Sequence, residues 1–562
     1  MRRAILLGLC ALAATAVVGQ TPLPASAAPE MATAASSPER CIAYIGVWDR
    51  SEPMLAELTP KIGFVPVFTR PDEIVGDSAA KGAEVAKCTI DFVLNMSSSE
   101  ALALRKFFEL NAGALAGRKI IALDARASQA ELQNAKLLIS DEEIQKYWRA
   151  NGETNVARLL SYTMIKYFGI KGDIQPPIDI PSAGFYDPDR ENDSFATLAS
   201  YKEFKISRGR WREGAPVVAL LTQQSFWITH DTKVLAAEVF ALERHGLNPV
   251  VIFGDREHEI SSMLVETHPD AIIEDRHGSM WESHDFLEKM DVPYFRPVSM
   301  LSDTIDEWKA DPQGLSFRDV GMFMTLQESW GTIEPIVVGG LHASIPGLRM
   351  HDPVPDGIER FAARVAAQLN LRSKPESEKK VAIVFISSGV GLSDLMRGSP
   401  TGMYLDGPAS VMEFLPEMKH RGYTVDNIPK SPDELLQLMR QKAHNVGSWN
   451  QEQLEDLVGN GDPVLIPAET YDRWFQEKLS EENRKKMIAA YGPPPGKFMV
   501  VERGGAQYIV LPRLVFGNVI MMPQPARGQT DDFTLVHSRD VPPPITTLPF
   551  TGGCKSLTRQ TP

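Results

Sequence analysis

The sequence has no G-x-x-x-x-G-K-[ST] phosphate loop, no Cys-x-x-Cys pair and no excess of basic charge. Without a glycine-rich loop and its lysine there is nothing to cradle a triphosphate, so this chain is expected to bind no nucleotide. The nearest glycine cluster, Gly389-Val390-Gly391, lacks the following lysine and reads as a loop over a strand end. Cysteine is scarce, at four residues, and the missing Cys-x-x-Cys spacing excludes a zinc ribbon or a thioredoxin-type site at the motif level. Lysine and arginine number 58 against 72 acids, a net charge of −14, which offers no general attraction to nucleic acid or anionic lipid. Beyond the first residues no apolar run approaches the ~20 residues of a spanning helix, so no transmembrane segment is expected in the mature chain.

The first residues carry an address. Met1-Arg2-Arg3 is followed by an uncharged apolar run over 4–18 and then by the small-x-small pattern Ala25-Ser26-Ala27. This predicts a secretory signal peptide over 1–27, cleaved after Ala27, and a flexible leader over 28–38. The mature protein is therefore expected to be exported and periplasmic. Cleavage removes two arginines and no acid, which makes the balance more negative still. Cys41 and Cys88 both open apolar runs, CIAYIGV and CTIDFVL, and so fit the same end of neighbouring strands. An exported protein permits a disulfide there, but spacing alone leaves open two buried thiols instead.

Along the chain a short β-branched run, a loop and an amphipathic helix alternate in three blocks that open at Cys41, Val217 and Val381. In the second block Leu235, Val239 and Leu242 recur at helical spacing before Gly246, which reads as a C-terminal stop. Buried strands alternating with surface helices predict an α/β, multidomain chain of repeated doubly wound parallel-sheet, flavodoxin-like units. Pro-rich joints at Gln175–Pro181, Arg372–Pro375 and Tyr491–Pro495 suggest α/β domains over 39–180, 181–372 and 373–525, with a divergent tail over 526–562. Chemistry in such folds sits beyond the carboxyl ends of strands. Two groups fall there in the second block: Glu274, Asp275, His277 and His284 after the run Ala271–Ile273, and His230 with Asp231 after Leu221. Carboxylate and imidazole together suit a first-row divalent metal, so these residues are the candidate metal ligands. Glu334 lies in the apolar run Ile333-Glu334-Pro335-Ile336, and a buried carboxylate there needs a partner, for which a structural arginine would serve.

Several boxes carry a resemblance in shared order. They are Gly184-Phe185-Tyr186-Asp187-Pro188-Asp189, the stretch from Val217 to Asp255, Gly331–Val338 and Tyr404-Leu405-Asp406-Gly407-Pro408-Ala409-Ser410. Tyr491–Gly496 and Phe516-Gly517-Asn518-Val519 with Gln524-Pro525-Ala526-Arg527-Gly528 complete the series. Together they resemble the front portion of the large, tetrapyrrole-binding subunit of CobN-type metal chelatases, a family that includes the large subunit of magnesium chelatase. Asp187 stands where that family carries a histidine. A second expected histidine is replaced at Ile545, after Pro542-Pro543-Pro544.

The resemblance implies a subunit that holds a corrin or porphyrin while a divalent metal substrate (cobalt, magnesium or iron) is inserted or removed. It implies a component of a cobaltochelatase-type enzyme, a ligase forming nitrogen–metal bonds, with separate ATPase subunits as partners; a dechelatase is the reverse form. Tyr186, Asp187, Asn518, Gln524 and Arg527 are the implied substrate-binding residues. Asp531, Asp532 and His537 are implied to collect pyrrole protons as general bases. Cobalt insertion for cobalamin biosynthesis uses ATP, which the periplasm lacks, so an exported relative points instead to handling haem or an imported tetrapyrrole. The early divergence after 545 points to a truncated relative, and a non-catalytic periplasmic tetrapyrrole- or metal-binding protein is the alternative.

Overall fold

The computed structural model describes residues 41–46, 52–69, 82, 85, 88, 90–93, 106–113, 120–123, 139–190, 193–276, 281–342, 350–385 and 406–525. The expected signal peptide over 1–27, the segment 28–38 and the tail 526–562 lie outside these. The chain divides into two compact units, residues 1–364 and 365–562. Among the described residues no helix is long and apolar enough to cross a membrane.

The first unit begins with a five-stranded sheet of β1 (Cys41–Ile45), β2 (Val65–Thr69), β3 (Ile90–Val93), β4 (Ile120–Ala122) and β5 (Ile139–Ser140). Its spatial order is β2-β1-β3-β4-β5, and every neighbouring pair is parallel. This is a doubly wound order, reversing between β1 and β3. Cys41 and Cys88 stand at the same end of β1 and β3 and form a disulfide, with their Cα atoms 4.5 Å apart. Ile42, Tyr44, Leu55, Ile121, Leu159 and Leu160 share one core cluster there.

The second sheet of this unit contains β6 (Gly184–Tyr186), β7 (Val217–Thr222), β8 (Asn248–Phe253), β9 (Ala271–Glu274) and β10 (Tyr294–Phe295) in the order β10-β9-β7-β8-β6. The four strands from β7 to β10 are parallel, and β6 pairs antiparallel with β8 at the edge. The runs VVALLT, NPVVIF and AIIE are apolar almost throughout because helices cover both faces of a parallel sheet. The helix Lys233–Arg244 buries Val234, Leu235, Val239 and Leu242, and Gly246 follows it with φ 85°, as expected of a helix stop. A third, smaller sheet joins β11 (Val298–Thr304) in parallel to β12 (Val337–Leu341), which pairs antiparallel with β13 (His351–Pro353).

The second unit departs from the expected third doubly wound repeat. Among its described residues it holds two three-stranded sheets. In one, β14 (Val381–Phe385) is parallel to β19 (Val519–Pro523), and β18 (Leu514–Phe516) is antiparallel to β19. In the other, β15 (Val464–Pro467), β16 (Val500–Arg503) and β17 (Ala506–Leu511) are all antiparallel. Turn chemistry is the reason. Gly504 and Gly505, at φ 59° and 78°, link Arg503 to its pairing partner Ala506 through a two-residue hairpin loop. Gly517, at φ 64°, does the same between Phe516 and Val519. Such hairpins fold a strand back antiparallel on its sequence neighbour, so that among the described pairs of this unit only β14 and β19, far apart in sequence, run parallel.

The disulfide closes a separation of 47 residues. Cys88→Ser is expected to lower stability by about 4 kcal/mol through the larger entropy of the unfolded loop. Denaturant unfolding of the oxidised protein and the variant measures this, and added reductant should erase the difference.

Candidate functional site

Strands β7, β8, β9 and β10 bring their carboxyl ends to one edge of the second sheet, where ligands of open α/β sheets bind. That edge is polar and buried. Glu274 closes β9, and its Oε1 accepts the backbone N–H of Arg276 at 3.1 Å and the Arg276 Nε–H at 2.7 Å. Its Oε2 accepts Arg276 Nη2 at 2.7 Å and the Tyr294 hydroxyl at 2.8 Å. Its backbone carbonyl accepts Arg296 Nη1 at 2.7 Å. Trp281 donates its indole N–H to the Tyr294 oxygen at 2.7 Å, and its ring lies 4.9 Å from the Arg276 guanidinium. Both arginines are 0% exposed. Burial alone would raise the Glu274 pKa, but the Arg276 charge and hydrogen bonds, aided by Arg296 and Tyr294, hold it below the ordinary carboxylate value.

Three buried guanidinium nitrogens, Arg276 Nη1 with Arg296 Nε and Nη2, have no hydrogen-bond partner among the described residues. The same is true of both carboxyl oxygens of Glu238, which projects from the helix Lys233–Arg244 and is 1% exposed. A second pair lies at the start of that helix. Asp231 accepts the His351 backbone N–H at 2.9 Å and bonds the ring Nδ1 at 2.6 Å, so the imidazole is oriented with its Nε2 unpartnered among the described residues. An imidazole held this way by a carboxylate can accept a proton or ligate a metal through Nε2.

The described residues do not assemble the expected metal cluster. Among the described residues no group of three or more histidine, cysteine or acidic side chains is placed to hold a metal. Glu274 is engaged by Arg276 and Tyr294, so its lone pairs meet cationic and hydroxyl donors in place of a metal. The ring of His284 stacks on Trp330 at 4.1 Å, His230 occupies a left-handed turn at φ 58°, and His277 lies outside the described residues. Asp275 is buried beside this cluster.

The proposed substrate-binding residues also have structural occupations. Tyr186 and Asp187 are 0% exposed. Asp187 accepts Arg210 Nη1 at 2.7 Å and pairs with Lys205 at 3.3 Å, while Glu243 bonds the same two cations. A carboxylate so enclosed is engaged by the buried cations Arg210 and Lys205. Asn518 donates from Nδ2 to the Ser377 carbonyl at 2.8 Å and from its backbone N–H to Thr424 at 2.9 Å, fixing the β18–β19 hairpin. Gln524 extends β19 with an N–H bond to Phe385 at 2.8 Å. Glu334 is only partly buried, unlike the buried carboxylate its apolar run suggested, and it bonds the exposed Arg364, whose Nε donates to it at 2.9 Å. Arg527, Asp531, Asp532 and His537 lie outside the described residues.

Sequence reasoning overlooked Arg276, Arg296, Glu238, Tyr294 and His351. One signal was available: Glu238 sits three residues after Leu235 and four before Leu242, on the apolar stripe itself. His351 bonds across 120 residues and left no local trace.

The family model for CobN/magnesium chelatase matches residues 145–548, so the first five strands precede it. The chain is 27% identical to the aerobic cobaltochelatase subunit CobN of Pseudomonas aeruginosa, over 73% of this chain and 32% of that protein. It is 22% identical to a magnesium-chelatase subunit of Chlorobaculum parvum, over 70% of this chain and 30% of that one. The chain thus spans about a third of the length of these curated relatives. In fold it resembles the catalytic subunit of cobaltochelatase from Mycobacterium tuberculosis, with a TM-score of 0.61 and 20% identity, over 91% of this chain and 41% of that one.

Asp187→Ala removes the acid that Arg210 and Lys205 share and leaves buried cations underpaired. We expect a loss of about 3–5 kcal/mol in denaturant unfolding, larger than that of Asp189→Ala, whose more exposed carboxylate also bonds Arg210.

Proposed function

The chain belongs to the CobN/magnesium chelatase family, and on that premise we propose that it is a tetrapyrrole-binding portion of a metal chelatase large subunit. The observation that carries the reading is the continuous family match over residues 145–548, which spans the second sheet and both sheets of the second unit. On this reading the macrocycle is a corrin or porphyrin, and a divalent metal, whether cobalt, magnesium or iron, is the substrate inserted or removed. Energy comes from separate ATPase subunits, in keeping with the missing phosphate loop. Two pyrrole protons leave as the metal enters, and Asp531, Asp532 and His537 are the groups we assign to collect them. Arg527 is assigned to a propionate or amide on the macrocycle rim.

We further propose that the chain works outside the cytoplasm. The leader over 1–27 supports this, and so does the Cys41–Cys88 bond, since disulfides persist in oxidising compartments. That observation favours a second reading, a periplasmic protein that carries a tetrapyrrole or its metal without ATP-driven turnover.

Titrating the purified mature protein with protoporphyrin, haem and a corrinoid, followed by macrocycle absorbance, tests both. At least one is expected to bind saturably at micromolar concentration. If none binds, both readings fall. Metal exchange on the bound macrocycle, in the presence of ATPase subunits and ATP, separates them: turnover supports the chelatase and its lack supports the carrier.

A further inference from the structure

Five ionisable side chains meet behind the carboxyl end of the second sheet: Glu238, Glu274, Asp275, Arg276 and Arg296. All are at least nine-tenths buried. Three are acids and two are cations, so full ionisation would leave one negative charge in excess within the cluster. Arg276 is committed to Glu274 through both its Nε and Nη2, and Arg296 reaches the Glu274 carbonyl. Neither oxygen of Glu238 is hydrogen-bonded among the described residues. An unpaired carboxylate in such surroundings is far costlier than its neutral acid.

We propose that Glu238 is a neutral carboxylic acid at neutral pH and serves as a one-proton switch at the seam between the helix Lys233–Arg244 and the carboxyl end of the second sheet. Among the described residues, the strands packed on that helix supply no free counter-charge. β8 contributes no ionisable side chain. On β13, His351 is bound to Asp231, and Asp352 is bound to Lys233 and His342. Burial first, and then the charge of Asp275, push the Glu238 pKa well above the ordinary carboxylate value, with Arg296 opposing them only in part. Losing the proton would set a second negative charge beside Asp275 and favour any arrangement that lets water or a cation reach Glu238. The seam would then loosen.

The sign of the pH dependence follows. A carboxyl whose native pKa is raised stabilises the fold fully below the unfolded value of about 4.3, and that contribution is lost as pH rises toward the native value. Glu238→Gln copies the neutral acid but cannot titrate. The folding equilibrium constant of E238Q relative to the wild type should therefore rise about tenfold per pH unit from pH 5 upward, levelling once native Glu238 ionises. A ratio that stays constant between pH 5 and 8 would overturn the proposal. Infrared absorption of the folded wild type provides a check that needs no stable variant. At pH 7 a protonated-carboxyl C=O band should remain although exposed acids are ionised. Its absence in the wild type overturns the proposal, and so does its persistence in E238Q.

Discussion

Everything at the carboxyl end of the second sheet depends on the pairing of Glu274 with Arg276. A guanidinium cannot shed its proton, so a fully buried one must be met by an acid and by acceptors for its N–H groups. Glu274 meets Arg276 with both carboxyl oxygens, orients Tyr294 with one of them, and offers its own carbonyl to Arg296. Because Glu274 is the last residue of β9, and Arg296 follows β10, these bonds fix where two neighbouring strands end relative to each other. The aromatic rings complete the enclosure: Trp281 covers Arg276, and Phe323 lies 4.9 Å from the Arg296 guanidinium. Removal of Glu274 or Arg276 alone would leave the other's charge stranded in a dry interior. The cluster is therefore a unit, and its surplus acid, Glu238, is the one member whose charge is free to change.

The boxes that reveal the family have mainly architectural duties. Asp406, in the Tyr404–Ser410 box, caps the helix Gly407–His420 by accepting the Ala409 N–H at 3.0 Å. The Phe516–Val519 box is a hairpin in which a side chain at Gly517 would collide with the Thr424 carbonyl, 2.8 Å from an added Cβ. Asp187 anchors an ion-pair network, and Glu334, at φ 60°, bonds Arg364. These residues identify a scaffold. The groups assigned to proton transfer lie in the tail, beyond the scaffold that the boxes build.

Much of that scaffold was legible. Strands with apolar runs, such as VVALLT and NPVVIF, declared themselves within a residue or two, and so did the helix that buries Leu235, Val239 and Leu242. The third block misled because its strands have the same β-branched composition whether they pair in parallel or antiparallel, and the deciding information lay in turns. Gly504-Gly505 between two apolar runs was the hairpin signal that composition hid. At the site, Glu274 and Asp275 were found from their place after a strand, but their partners were not. Carboxylates beside histidines suggest metal binding, yet Arg276 close by in sequence satisfies Glu274, and Arg296, twenty residues further on, is brought close only by the fold.

The central claim is that Glu274 and Arg276 act as one buried unit, and a double-mutant cycle on unfolding free energy tests it most directly. Glu274→Gln and Arg276→Met should each cost about 3–5 kcal/mol, because each strands the other's charge. The double variant should cost less than the sum of the two, with a coupling of about 2–3 kcal/mol. Additive losses, equal in the double variant to the sum of the singles, would contradict it.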